Sequence, residues 1–136
     1  MKLSRRTIYA LILLVAIAKN GDSGNTTIKE VAQKEGISVK YLEQIGCVLC
    51  KAGLIKSWRG PNGGYHLEKA AKDCTLGEVI KLMEGEVSSD YIESVSALSL
   101  FWDGLCKTLD SYLNSTTIYD LIENEKTLDG VYDYCI

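Results

Sequence analysis

Cys47 and Cys50, three positions apart, and His66, the single histidine, are the residues whose chemistry first invites inspection. A C-x-x-C pair does thiol–disulfide chemistry when both thiols are exposed at a helix N-terminus that lowers their pKa. Here the pair falls late in a segment of helical spacing, beside positions that pack on a first helix. Both are therefore expected as small core or boundary residues. Two thiols do not make a four-coordinate zinc site, and a lone histidine beside no nucleophile makes no catalytic constellation. The chain is read as not an enzyme, with a thiol redox enzyme using Cys47 and Cys50 as the remote alternative. Cys74, Cys106 and Cys135 complete an odd, scattered set of five. That is no disulfide framework, and it suits a reducing compartment.

A second constellation points to a different chemistry. Lys40, Tyr41, Glu43 and Gln44 fall on the side of a helical segment away from Leu42, Ile45 and Leu49. Lysine pairs with phosphate and the tyrosine hydroxyl positions a backbone, while glutamine can read adenine and glutamate can accept from cytosine N4. Downstream, Arg59 stands beside Gly60, so a guanidinium could enter a narrow groove with the backbone following closely. The bland alternatives are a solvated helix face and a surface arginine. Charge supports the DNA reading: residues 1–66 carry +6 and residues 67–136 carry −9, which makes up the net −3. A basic half suits a polyanion, and an acidic half suits solubility or a protein contact.

The elements that would position these residues can be read in order. An apolar run from Ile8 to Ala18 follows Lys2, Arg5 and Arg6 and ends Ala16-Ile17-Ala18, which imitates a signal peptide. Its eleven residues are too short to span a bilayer. A buried first helix capped by Ser4 and ended at Asn20-Gly21 fits the run better. Arg5, Arg6 and Thr7 near its start are candidate phosphate contacts.

Thr27 and Glu30 form a capping box for a short helix ending at Gly36. Ser38 caps the next, which carries Val39, Leu42, Ile45 and Leu49 and ends at Ala52-Gly53. Two helices joined by a short glycine-containing turn form a helix-turn-helix. Leu54–Trp58, the turn-rich Arg59–Gly64, and Tyr65–Leu67 then read as a hairpin wing. Thr75 and Glu78 form a second capping box that opens a helix to Glu84-Gly85, and apolar residues recur at helical spacing from Ala97 to Leu113. A short helix from Thr117 to Glu123 and a tail to Ile136 complete the prediction. The fold class is mainly α, a winged helix-turn-helix over residues 1–85. Residues 86–136 form a linker, a long C-terminal dimerisation helix and a tail.

These motifs resemble the IscR-type (BadM-type) family of bacterial winged-helix regulators. The resemblance lies in Met1–Ser4, Ile37–Ile45, Lys51–Ser57 and Arg59–Tyr65, and continues through Thr75–Gly85 and the Trp102 region. It implies a cytoplasmic homodimer, paired through a helix matching Ala97–Leu113, on a partly palindromic DNA operator with one wing per half-site. The family's DNA contacts carry over onto Tyr41, Glu43, Gln44 and Arg59, with Gly60 beside it, and onto Ser38 and Lys40.

Many members sense through an iron–sulphur cluster held by three cysteines. Residues 85–102 of this chain contain no cysteine, and serine is a poor substitute for thiolate on iron, so no cofactor is expected. The resemblance then leans toward a cluster-less branch that represses cysteine metabolism, through Thr116-Thr117-Ile118, Leu128-Asp129-Gly130 and the terminus Tyr134-Cys135-Ile136. That branch implies a partner, O-acetylserine sulfhydrylase, which would receive the Ile136 carboxylate as if it were a substrate carboxylate. An untethered tail is the bland reading of the same residues. A regulator of this fold that senses oxidants through its own thiols, or binds a small ligand, is the functional alternative.

Overall fold

The computed structural model describes residues 2–21, 25–61, 63–86 and 97–135, with side chains as far as residue 130. Among the described residues six α-helices and one hairpin follow in order: α1 (Arg5–Asn20), α2 (Ile28–Glu35), α3 (Val39–Lys51), β1 (Ile55–Trp58), β2 (Gly64–Leu67), α4 (Leu76–Glu84), α5 (Ala97–Ser115) and α6 (Ile118–Cys135). The mainly α, winged helix-turn-helix expectation holds.

α1 is the hub. Its apolar run buries Ala10, Leu13, Leu14 and Ile17, and α3, α4, α6 and β2 pack around it. Full burial of each leucine or isoleucine among them contributes about 1.5–3 kcal/mol, so this helix belongs to the core. The helix-turn-helix forms where the sequence placed its caps. Thr27 accepts from the Glu30 N–H while the Glu30 carboxylate accepts from the Thr27 N–H, and α2 closes on Gly36 at φ 66°. Ser38 then accepts from the Tyr41 N–H and starts α3.

The base of the hairpin is tied to the end of α3, since the Leu54 N–H donates to the Leu49 carbonyl and the Glu68 N–H to that of Leu54. β1 and β2 pair antiparallel, Ile55 opposite Leu67 and Trp58 opposite Gly64. β2 has a second neighbour that periodicity did not reveal. The Tyr65 N–H donates to the Thr26 carbonyl at 2.8 Å, which fastens the wing to the start of α2.

Two expectations change. The box at Thr75 is only half made: Thr75 accepts from the Glu78 N–H, but the Glu78 carboxylate pairs with Lys69 instead. The final helix does not stop at Glu123; α6 continues to Cys135. Residues 118–125 lie against α1, with Ile118 fully buried, Leu121 and Ile122 on the core, and Glu125 paired with Lys19. Beyond them no proline interrupts the ladder, and Gly130, which resembles a stop, is carried within the helix. The junction before α6 is also held: the Leu76 N–H donates to the Thr116 carbonyl and the Ile118 N–H to that of Cys74.

Candidate nucleic-acid interface

Burial of Leu42, Ile45, Gly46 and Leu49 turns one face of α3 inward. The opposite face presents Lys40, Glu43, Gln44, Cys47 and Lys51, all exposed. The wing lies beside it: Lys29, Glu43, Ser57, Trp58, Arg59 and Tyr65 line a single cleft. The structure thus brings Glu43 of the helix and Arg59 of the hairpin, sixteen residues apart in sequence, to one surface. Arg59 and Gly60 are exposed at the tip, where Gly60 takes φ 111° and its carbonyl accepts from the Gly63 N–H. A side chain would be strained there, so glycine leaves the tip thin next to the guanidinium.

Tyr41 differs from the sequence expectation. It is half-buried, and its ring meets that of Tyr9 edge to face at 5.7 Å, fixing the start of α3 against α1. Ser38 is exposed but its hydroxyl already serves as the helix cap. Arg5 and Arg6 are exposed at the start of α1. Thr7 is not available for a phosphate: it is fully buried and its hydroxyl donates to Oε1 of Glu84 at 2.5 Å. Its position one residue past two arginines concealed a helical turn that faces α4.

Cys47 also departs from expectation, since it is exposed while Cys50 is half-buried. Spacing could have shown this, because Cys47 lies one helical turn from both Glu43 and Gln44. Burial, then Cys47, then Glu68 push the Cys50 thiol above its ordinary range. A second unforeseen residue is Trp58, 55% exposed on the wing, with the Lys56 ammonium 5.6 Å from its ring centroid and His66 edge-on at 6.1 Å.

The tail residues Tyr134 and Cys135 lie in the helical backbone of α6, and Ile136 is outside the described residues. α5 has an unusual balance: none of its 19 residues is buried, yet Leu98, Leu100, Phe101 and Tyr112 are each at least 60% exposed.

The family model described as an iron-dependent transcriptional regulator, Rrf2, matches residues 3–124. The chain belongs to the Rrf2 family. It is similar to the HTH-type transcriptional regulator IscR of Klebsiella pneumoniae, 31% identical over 95% of this chain and 84% of the relative. Among solved structures it resembles CymR, the global cysteine regulator of B. subtilis, with a TM-score of 0.84 and 32% identity over 91% of this chain and 98% of that one. It also resembles IscR of T. potens, with a TM-score of 0.78 and 32% identity over 92% and 88%. The oxidised form of Staphylococcus aureus CymR matches with a TM-score of 0.75 and 34% identity over 89% and 95%. This Rrf2 chain is a DNA-binding transcription regulator.

The family's description names iron, which thiolates commonly hold. Residues 85–102 offer no thiolate. Among the described residues no three His, Cys, Asp or Glu side chains gather as metal ligands. No helix among them is long and apolar enough to cross a membrane.

Proposed function

We propose that the protein is a sequence-specific repressor that binds a partly palindromic operator as a homodimer in the cytoplasm. Residues 1–85 serve as the DNA-reading unit and residues 86–136 supply the dimer helix and tail. The observation that carries the reading is the joint exposure of the α3 face and the wing tip along one cleft. Glu43 and Gln44 read base edges in the major groove, while Arg59, with Gly60 beside it, enters the adjacent minor groove. Lys40, Arg5 and Arg6 meet phosphates, with Ser38 and Tyr41 setting the helix start that aims them.

The dimer reading rests on α5. Leu98, Phe101, Leu105 and Tyr112 recur at spacings of three, four and seven and form one stripe, and its exposed members stand in water in the single chain. A second copy packed across a two-fold axis would remove them from it. Footprinting of DNA recovered from a random pool tests both parts. Two protected half-sites about one helical turn apart support the reading; a single half-site or no recovered sequence refutes it.

For the signal, likeness to CymR favours cysteine metabolism, and the lack of cysteine in residues 85–102 favours regulation without an iron–sulphur cluster; in this reading O-acetylserine sulfhydrylase docks on Tyr134, Cys135 and Ile136. Binding of the full chain to that enzyme, compared with a chain lacking Ile136, is the test. Binding that survives loss of Ile136, or that O-acetylserine fails to displace, would reject the tail as the docking element.

A further inference from the structure

When α3 and the wing address two different grooves, whatever separates those grooves must pass between the two elements. In a DNA duplex that separator is a single sugar–phosphate strand. The space between the elements is the cleft, whose lining includes Lys29, Glu43, Trp58, Arg59 and Tyr65. Lys29 and Arg59 are exposed, and among the described residues neither is paired with a carboxylate. These two cations outnumber Glu43, the one carboxylate of the lining, so the cleft favours an anion.

The wing side of the cleft adds an apolar surface. Trp58 is 55% exposed and stands opposite Gly64, which offers no side chain to cover the indole. Gly64 must stay small, because a Cβ there would meet the Thr26 backbone oxygen at 2.8 Å. The Lys56 ammonium and the His66 ring flank the indole at 5.6 and 6.1 Å from its centroid. The width of the cleft is also set in advance. The Tyr65 N–H donates to the Thr26 carbonyl, which ties the strand facing Trp58 to the start of the helix that carries Lys29.

We propose that this cleft seats the sugar–phosphate strand that runs between the two grooves. Lys29 pairs with its phosphate, and the Trp58 ring packs on the adjoining deoxyribose. The proposal rests on the DNA-binding reading and adds two positioning residues to it. A cation beside an exposed aromatic ring matches the repeating unit of that strand, an anion beside a largely apolar sugar face. Covering the ring removes apolar area from water, which an exposed tryptophan otherwise leaves there. Neither contact reads a base. Together they set the depth and register at which Glu43, Gln44 and Arg59 meet base edges.

The test uses the full chain, the duplex that the parent recovers from a random pool, and a second duplex with both half-sites scrambled. Trp58→Ala should lower affinity about five- to tenfold per protomer, within the range for aromatic contacts with nucleic acid. The loss should be the same factor on both duplexes, and Trp58→Phe should restore most of it. Lys29→Gln should reduce the slope of log affinity against log salt by about one per protomer. DNA should change the tryptophan emission of the parent, and Trp58→Phe, which keeps Trp102, should lose that change. Parental affinity in Trp58→Ala, an unaltered slope in Lys29→Gln, or an emission change that persists in Trp58→Phe would each overturn the proposal. A loss confined to the recovered duplex would overturn it too, by making Trp58 a reader of sequence. A parent that recovers no duplex refutes the DNA-binding reading itself, and the strand seat falls with it.

Discussion

The hydroxyl of Thr7 donates to Oε1 of Glu84 at 2.5 Å, and the Ser4 N–H donates to the same oxygen at 2.7 Å. The last residue of α4 thus completes the N-terminal cap of α1, linking the helix that carries Arg5 and Arg6 to the segment leading to α5. These bonds hold the Glu84 carboxyl below its ordinary value of 4.5, the Thr7 bond most and the Ser4 bonds next. A carboxyl depressed in the folded state stabilises the fold above its unfolded pKa. That contribution fades as pH falls through the folded value. Glu84→Ala should therefore be less stable than the parent near neutrality, and the gap should narrow as pH falls through and below the ordinary carboxylate range. Denaturant unfolding at several pH values measures it; a gap independent of pH would contradict the assignment.

Arg59→Ala should lower operator affinity by about 1–3 kcal/mol with an unchanged circular dichroism spectrum, because the side chain is exposed and supports no packing. Fluorescence anisotropy against a recovered duplex is the measurement. Equal affinity would remove the wing from the interface.

A charge in the apolar stripe of α5 should separate the protomers. Phe101 is 64% exposed in the single chain, so Phe101→Glu costs little within one subunit but buries an unpaired carboxylate in a dimer. Sedimentation should report a folded monomer with weakened operator binding. A variant that remains dimeric would place the two-fold contact elsewhere.

Gly64 is set by a close approach. A Cβ there would stand 2.8 Å from the Thr26 carbonyl oxygen and 3.1 Å from the Thr26 nitrogen, both backbone atoms. Gly64→Ala must push the wing off the start of α2 and weaken the Tyr65-to-Thr26 hydrogen bond. A loss of about 1–3 kcal/mol in unfolding free energy is expected, read from the shift of the denaturation midpoint. DNA affinity should fall with it, since the same strand positions Arg59.

Local signals were the legible part of this protein. Thr27 with Glu30, Ser38 with its apolar followers, and the glycine-rich turn after Trp58 act within a few residues, so spacing alone located α2, α3 and the hairpin. The stop expected after Glu123 does not occur, and a contact that holds this part of α6, Glu125 on Lys19, comes from α1, about a hundred residues earlier. Thr7 departs from its expected exposure for a similar reason, since its partner Glu84 lies on another helix.

Residue type and spacing alone mark which residues could speak to DNA, because charge, cap and turn chemistry are local properties. The same is true of residues 85–102, which contain no cysteine. Tertiary structure decided which of those residues share a surface. Glu43 and Arg59 line one cleft because β2 hydrogen-bonds to Thr26 as well as to β1. Thr7 leaves the surface and Cys47 joins it because each helix must turn its apolar stripe to the same core. No local pattern carries that information, since burial depends on the packing of elements distant in the chain.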